Sequence, residues 1–318
     1  MQIESLKYFV ELAKAGSFYG AAKNSFISQQ GLNKAVRSLE SELDTQLVVR
    51  GRRGIQLTKD GEVFLAHAKA MLAEYDKLLD DLVILPRQAE PNRTRLVLNV
   101  SYYGAQVLAP LAGSLELLRA CTIVEKPIKQ ILDEAETSDG TELYLADLYA
   151  DSFSQVKSAH KLGFDPVAIT QFGVVWQDGS PFAGSDALHR SDLVGFPLAV
   201  DSHREMLRYA EYVYDGYPLN NIQFGVANPR ATLAFALSSP QVASTFDSFG
   251  FEVARHASTL DVSRLHFTPL ATPRARGWFG FVYSQTHKPK IHCRHFIDSF
   301  AKTLTSTFPE HFAQYPIS

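Results

Sequence analysis

The sequence is poor in the features that would tie it to a membrane, an oxidising compartment or a catalytic cofactor. Only two cysteines occur in 318 residues, Cys121 and Cys293, too few for a disulfide framework. Nothing local marks either as a low-pKa thiol, so reduced cysteines in a cytoplasmic protein are expected. No uninterrupted apolar run approaches the roughly 18 residues that a membrane helix needs. The opening MQIESLKYFV, with acidic Glu4, does not read as a secretory signal. A P-loop, a GxGxxG turn after a strand and a GxSxG nucleophile elbow are all missing. His292, Cys293 and His295, with His287 nearby, match no standard zinc spacing and read as a solvated helix start. These absences predict no enzyme, no cofactor and no metal. Strong net charge is missing too, since a balance of -3 by itself calls for no polyanionic partner.

What is present suits a folded, soluble chain. Hydrophobic residues make up 46% and charged residues 20%, which leaves little scope for long disorder, and the length suits two or three domains. The charge is unevenly spread. Residues 1–60 carry nine Lys/Arg against six Asp/Glu, whereas residues 91–318 carry 19 against 22. A basic head on an acidic body suits a nucleic-acid contact confined to the head.

The head reads as helical. Ile3, Leu6, Val10 and Ala13, with Phe9 and Leu12, recur at helical spacing, and Gly16 ends that helix. Ser17 is placed to cap a second helix around the small pair Ala21 and Ala22, and Ser28 to cap a third. In the third, Leu32, Val36, Leu39 and Leu43 form one apolar stripe. Its other face gathers Gln29, Gln30, Asn33, Lys34 and Arg37. Gln and Asn can bond adenine in two places, Arg can fork onto guanine, and Lys neutralises phosphate. A solvated helix face with no partner is the competing reading. Beyond it, 47–50 and 55–57 read as two short strands around Gly51-Arg52-Arg53-Gly54. With Arg50, those arginines suit a wing that clasps phosphate or enters a minor groove, or else an ordinary surface turn.

The run from LKYFVELAKAGSFYGAAKNSFISQQGLNKAVRSLESELDTQLVVR to GIQLTKDGEVFL resembles the LysR-type transcriptional regulators. The landmarks are Phe9, Gly16-Ser17-Phe18, Ala21-Ala22, Ser28-Gln29, Leu32, Leu39-Glu40, Leu43, Leu47, Arg50, Leu57-Thr58 and Gly61, in order over about the first 80 residues. The resemblance implies contacts to double-stranded operator DNA from Ser28, Gln29, Gln30, Asn33, Lys34 and Arg37, and wing contacts from Arg50, Arg52 and Arg53. Departures are Gln30 and Gly31, Asn33 in place of serine, and Asp44 where a glycine normally follows the helix.

Thr58 is positioned to cap a long helix reaching about Leu85, before Pro86. Phe64, Ala68, Met71, Tyr75, Leu78, Leu82 and Leu85 alternate in steps of four and three, the period of a coiled-coil seam. Packing on the chain's own next domain is the alternative. The resemblance implies a linker-helix dimer, hence a homodimer or homotetramer.

Past a polar, proline-containing hinge at 86–94, the pattern alternates. Strands are predicted at Arg95–Val100, Thr122–Glu125, Leu143–Ala146, Val167–Trp176, Pro197–Val200, Ile222–Val226, Leu265–Phe267 and Trp278–Tyr283. Helices are predicted at Val107–Arg119, 203–214, 229–238 and 290–305. The predicted fold is an N-terminal all-α winged helix-turn-helix (1–58), a linker helix (59–86) and a C-terminal α/β domain (93–318). For the last, the family resemblance implies a two-lobed, periplasmic-binding-protein-like body. Lobe I takes about 93–167 and 270–318 and lobe II about 168–269, with crossings near Asp165-Pro166 and Thr268-Pro269. Ligands of such sheets sit at strand C-terminal ends. A small-molecule effector of unknown identity would meet Ser101, Tyr102, Tyr103, Asp201, Ser202 and His203, with Lys126 and Asp147 as weaker candidates. Plain loops, in a body that has lost its ligand and serves only oligomerisation, are the alternative.

Overall fold

The computed structural model describes residues 1–25, 27–51, 54–84, 96–113, 116–149, 156, 161–214, 221–257 and 260–311. Contacts divide the chain into two units, Met1–Val83 and Ile84–Ser318.

In the first unit, α1 (Ile3–Ala15) buries Leu6, Phe9 and Leu12 and stops at Gly16, whose φ of 66° is left-handed. Ser17 caps α2 (Phe18–Asn24), accepting the Gly20 N–H at 3.1 Å. Ser28 caps α3 (Gln29–Glu42) in the same way, accepting the Gly31 N–H at 3.0 Å. Leu32, Val36 and Leu39 of α3 are buried, but Leu43 is 41% exposed. The apolar period carries on past the point where the helix stops, so the last residue of the stripe falls on the cap. Strands β1 (Val48–Gly51) and β2 (Gly54–Leu57) pair antiparallel, from Val48 opposite Leu57 to Gly51 opposite Gly54. Thr58 caps α4 (Lys59–Ile84), accepting the Gly61 N–H at 2.9 Å.

Phe64 and Ala68 of α4 belong to the core of this unit, with Phe64 edge-on to Phe9 at 5.0 Å. Phe64 is therefore not a seam residue. Its helical period is shared with the seam, but a ring from α1 occupies its face.

The second unit is built on β3 (Leu96–Val100), β4 (Cys121–Glu125), β5 (Leu143–Tyr149) and β6 (Leu162–Gln177), followed by β7 (Leu198–Asp201) and β8 (Ile222–Val226). Strands β9 (Ala243–Asp247), β10 (Leu265–Pro269) and β11 (Arg276–Ser284) complete it. The sheet order is β4-β3-β5-β11-β6-β9-β7-β8, with β10 also on β6. Two lobes share β6. Its first part, Leu162–Gln171, pairs with β11, and its last part, Gly173–Gln177, pairs with β10 and in part with β9. The first crossing thus falls at Phe172, not at Asp165-Pro166. Pro166 sits where the β6–β11 register shifts, a bulge that spares the missing N–H and lets the strand run on.

Helices α5 (Tyr102–Leu111), α6 (Ile128–Thr137), α7 (Arg204–Val213), α8 (Pro229–Ser238), α9 (Ser248–Ala257) and α10 (Ile291–Thr307) flank the sheets. The helix expected at Val107–Arg119 begins earlier, because Ser101 caps it through the Gly104 N–H at 3.0 Å. Helix α9 follows a lobe II strand, yet its Phe249 and Val253 lie in the lobe I core with Phe279, Phe296 and Phe300. Cys293 and His295 face inward from α10 and are buried. Among the described residues no helix is long and apolar enough to cross a membrane.

Candidate nucleic-acid interface and ligand cleft

The head presents one polar surface on one helix. Ser28, Gln29, Gln30, Lys34 and Arg37 are exposed, and Asn33 is half-buried. The apolar stripe turns the opposite side of α3 into the head's core, so this face points away from that core. The α3 N-terminus adds the positive end of the helix dipole beside Gln29 and Gln30. A phosphate there would meet oriented N–H groups, and Lys34 and Arg37 lie one and two turns further on.

The wing is tied to α3 by Glu40, whose Oε1 accepts the backbone N–H of Leu47 at 2.9 Å and of Val48 at 3.1 Å. Sequence reasoning counted Glu40 only as a landmark; its partners are backbone groups and leave no mark in the sequence. Two further bonds lock α4 against the wing. The Thr58 hydroxyl donates to the Gln46 carbonyl at 2.6 Å, and the Thr58 N–H donates to the Leu47 carbonyl at 3.0 Å. A Cβ at Gly61 would collide with that Leu47 carbonyl, which explains the glycine. Arg50 lies in β1 opposite Ile55. Arg52 and Arg53 lie outside the described residues. Tyr19, 72% exposed on α2, was missed, although a tyrosine between Ser17 and Gly20 on so short a helix has little core to enter.

On α4, Met71 is 37% and Leu78 52% exposed, with Tyr75 half-buried between them. Leu85 lies outside the described residues, and for Leu82 only the helical backbone is described.

In the body, the candidate residues gather where the two lobes meet. The Tyr102 hydroxyl on α5 donates to Asp201 Oδ2 at 2.9 Å, at the end of β7 in the other lobe. The Tyr102 ring stacks on His203, with centroids 3.7 Å apart. Asp201 also accepts the His203 N–H at 2.9 Å. Burial, then the adjacent Asp201, pushes the Tyr102 hydroxyl well above its ordinary range. Burial likewise raises the Asp201 carboxyl. Tyr103 donates to Asp247 Oδ1 at 2.6 Å, which also accepts from the Thr170 hydroxyl at 2.5 Å and the Gly250 N–H at 2.8 Å. Ser101 donates to Asp147 Oδ1 at 2.5 Å. Burial pushes the Asp147 carboxyl up to about 7, against the lowering effect of that bond.

Two candidates stand apart. Lys126 is turned to Glu134 at 2.5 Å, within its own lobe, and Ser202 donates its N–H to the Val226 carbonyl at 3.0 Å. Neither lines a cavity near the others. Three residues missed in the sequence do belong here. Glu205 on α7 accepts the Ile128 N–H at 2.9 Å, capping α6 of the other lobe. Tyr149 at the end of β5 stacks on Tyr209 of α7. These are long-range contacts with no local signal.

Two cavities lie beside these groups. One, of about 290 Å³, lies beside Tyr102, Asp201, Asp247 and Arg230. The other, of about 420 Å³, has walls from Tyr103, Ile128, Asp147, Tyr149, His203 and Glu205, among others.

Residues 3–62 match the family described as "Bacterial regulatory helix-turn-helix protein, lysR family". The head is a LysR-family helix-turn-helix. The HTH-type transcriptional regulator TfdT of Cupriavidus pinatubonensis is 44% identical over 73 residues, 23% of this chain and 32% of that protein. The chain spans about a quarter to a little over half the length of the first curated relatives it matches. A longer, weaker match is the uncharacterised HTH-type transcriptional regulator YvbU of Bacillus subtilis, 24% identical over 86% of this chain and 92% of that one. The crystal structure of full-length BenM aligns over 96% of this chain and 97% of that one, at 17% identity and a TM-score of 0.49.

Proposed function

We propose that the chain is a LysR-type DNA-binding transcription regulator, cytoplasmic and without enzymatic activity, acting as a homodimer or homotetramer on a partly palindromic operator. One observation carries this reading: the capped α3 offers Ser28, Gln29, Gln30, Lys34 and Arg37 outward, with a basic wing sequence beside it. Such a helix fills a major groove and reads base edges near its N-terminus. Met71, Tyr75, Leu78, Leu82 and Leu85 pair the linker helices, so that two heads bind one operator and the second contact becomes intramolecular. A small molecule in the cleft between the lobes shifts their closure and changes how the paired heads meet DNA. Electrophoretic mobility shift on the region upstream of its own gene tests the first step. Absence of a shifted species at low salt removes the DNA-binding reading.

A second reading keeps the DNA-binding role but takes the body as a ligand-free oligomerisation domain. It is favoured by the lobe-to-lobe bond from Tyr102 to Asp201 and the Tyr102–His203 stack, which close part of the cleft with the chain's own groups. Thermal-shift screening separates the two, since a true effector raises the melting temperature in proportion to the logarithm of its concentration once it exceeds Kd.

A further inference from the structure

The larger cavity has the chemistry of a cation site. Its 420 Å³ fall within the roughly 300–1,000 Å³ usual for small-molecule pockets. Tyr103, Tyr149, Tyr209 and Tyr212 supply aromatic walls, and Asp147 supplies a carboxylate among them. Tyr149 and Tyr209 stack on each other and Arg274 lies over the Tyr212 ring, so the rings give a bound cation an aromatic surround and the carboxylate neutralises it. Asp147 keeps part of its surface open and accepts the Ser101 hydroxyl and its own backbone N–H, which leaves lone pairs for a ligand. A second observation is independent of charge. Tyr149 is 8% exposed, and its hydroxyl has no hydrogen-bond partner among the described residues. Buried hydroxyls are seldom left so, and this one belongs to a residue lining the cavity. The basic lining residues lie at the opposite extreme of burial. Arg204 and Arg208 are exposed, and Lys129, also exposed, is held by Asp133 at 2.6 Å.

We infer that this cavity takes a small organic ammonium ion, its nitrogen against Asp147 among the tyrosine rings and its apolar body directed toward the Arg204–Arg208 rim. The inference rests on the body being a ligand sensor. It also carries a pH signature. Around Asp147 stand Glu205 from α7, Asp247 at the end of β9, Tyr103 from α5, Tyr149 on its own strand, and His203 and Lys129 in the walls. A carboxyl held up to about 7 is largely protonated at pH 6, and a bound cation favours its ionised form. Amine affinity therefore rises from pH 6 to pH 8.

The test is calorimetric titration of the full chain with phenethylamine, 3-phenylpropanoate and phenylalanine. Phenethylamine is expected to bind, severalfold more tightly at pH 8 than at pH 6, with 3-phenylpropanoate silent. Asp147→Asn weakens it by about tenfold, one log unit of affinity. Tyr212→Ala, at a half-buried position, weakens it by a smaller factor and covers the case in which the Asp147 variant fails to fold. Binding of 3-phenylpropanoate without phenethylamine overturns the amine assignment and leaves the sensor reading intact, as does wild-type affinity in both variants. If none of the three binds and filling the cavity with Met206→Trp leaves operator affinity unchanged, both readings fall.

Discussion

The head and the body handle polar chemistry in opposite ways. The head turns its apolar residues inward on three short helices and leaves Gln29, Gln30, Lys34 and Arg37 in solvent. The body turns its chemistry inward. Ser101, Tyr102, Tyr103, Asp147 and Asp201 are held by one another or by Asp247 and His203, largely across the line where the lobes meet. An exposed face is ready to meet a stiff external partner such as a duplex. A buried set of bonded groups responds only to a partner that displaces or bridges them, so it suits a switch. The contrast makes specific demands on each region.

The largest demand falls on α4, which has to double the head if an exposed face is to hold DNA usefully. Replacing Leu78 and Leu82 together by aspartate is expected to give monomers by light scattering. The loss of operator affinity should approach the 10²–10⁴ that bivalence supplies, about 3–6 kcal/mol. Persistent dimers in the double variant would put the interface elsewhere.

In the body, burial of Asp147 sets the next effect. Its folded-state pKa, about 7, lies above the ordinary carboxylate value near 4, so the folded state binds more protons than the unfolded state between those limits. That contribution to stability is fully present below about pH 4 and is lost as pH rises through about 7. Asp147→Asn removes the titration and should flatten stability between pH 5 and pH 8, by a few kcal/mol at most given the group's partial exposure. Chemical denaturation at three pH values measures it. An unchanged slope would mean that Asp147 is well hydrated, and the contrast with the head would lose its clearest case.

Arg37→Ala or Gln29→Ala is expected to cost about 1–3 kcal/mol of specific binding and to leave nonspecific binding nearly unchanged. Competition with unrelated duplex reads the difference. Wild-type specificity in either variant would show that α3 touches backbone only and that the outward face is a solvated one.

The same contrast explains what was legible in the sequence. In the head, caps and stripes are local: Ser17, Ser28 and Thr58 each bond an N–H three residues on, and the buried α3 residues keep a helical period. The failures there come from tertiary contact. Phe64 has the period of a seam residue, and only the Phe9 ring shows otherwise. In the body, the predicted strands were mostly the apolar ones. Strand β9, Ala-Ser-Thr-Phe-Asp, is small and polar, yet every residue of it is buried, because β6 and β7 flank it and helices cover it. Helix α6 was missed as well, though its Ile131 and Ala135 are in a core. Of the cleft, the strand-end rule found Tyr102, Tyr103, Asp147, Asp201 and His203. It could not find Glu205 or Tyr149, whose partners are 77 and 60 residues away in the chain.

Asp44 offers the finest test, at a place where the head's local logic is strained. It follows α3 with φ 48°, left-handed for a residue that has a side chain. The Thr45 N–H bonds the Glu40 carbonyl at 3.0 Å, the six-to-one closure of a Schellman motif, and that motif favours glycine at this position. Aspartate tolerates the conformation better than most residues because its short polar chain can bond locally, while alanine has no such compensation. Asp44→Gly should therefore stabilise the head by about 0.5–1 kcal/mol, and Asp44→Ala should destabilise it by a similar amount, giving the order Gly, Asp, Ala. Glycine's extra freedom in the unfolded chain offsets part of the relief, which keeps the gain small. Midpoints of the head's unfolding transition in urea resolve the order, and operator preference should not move, since Asp44 lies beyond the C-terminal end of α3 while the reading face is at its N-terminal end. An alanine variant as stable as the glycine one would mean that the turn relaxes out of the left-handed region, with no strain for Asp44 to bear.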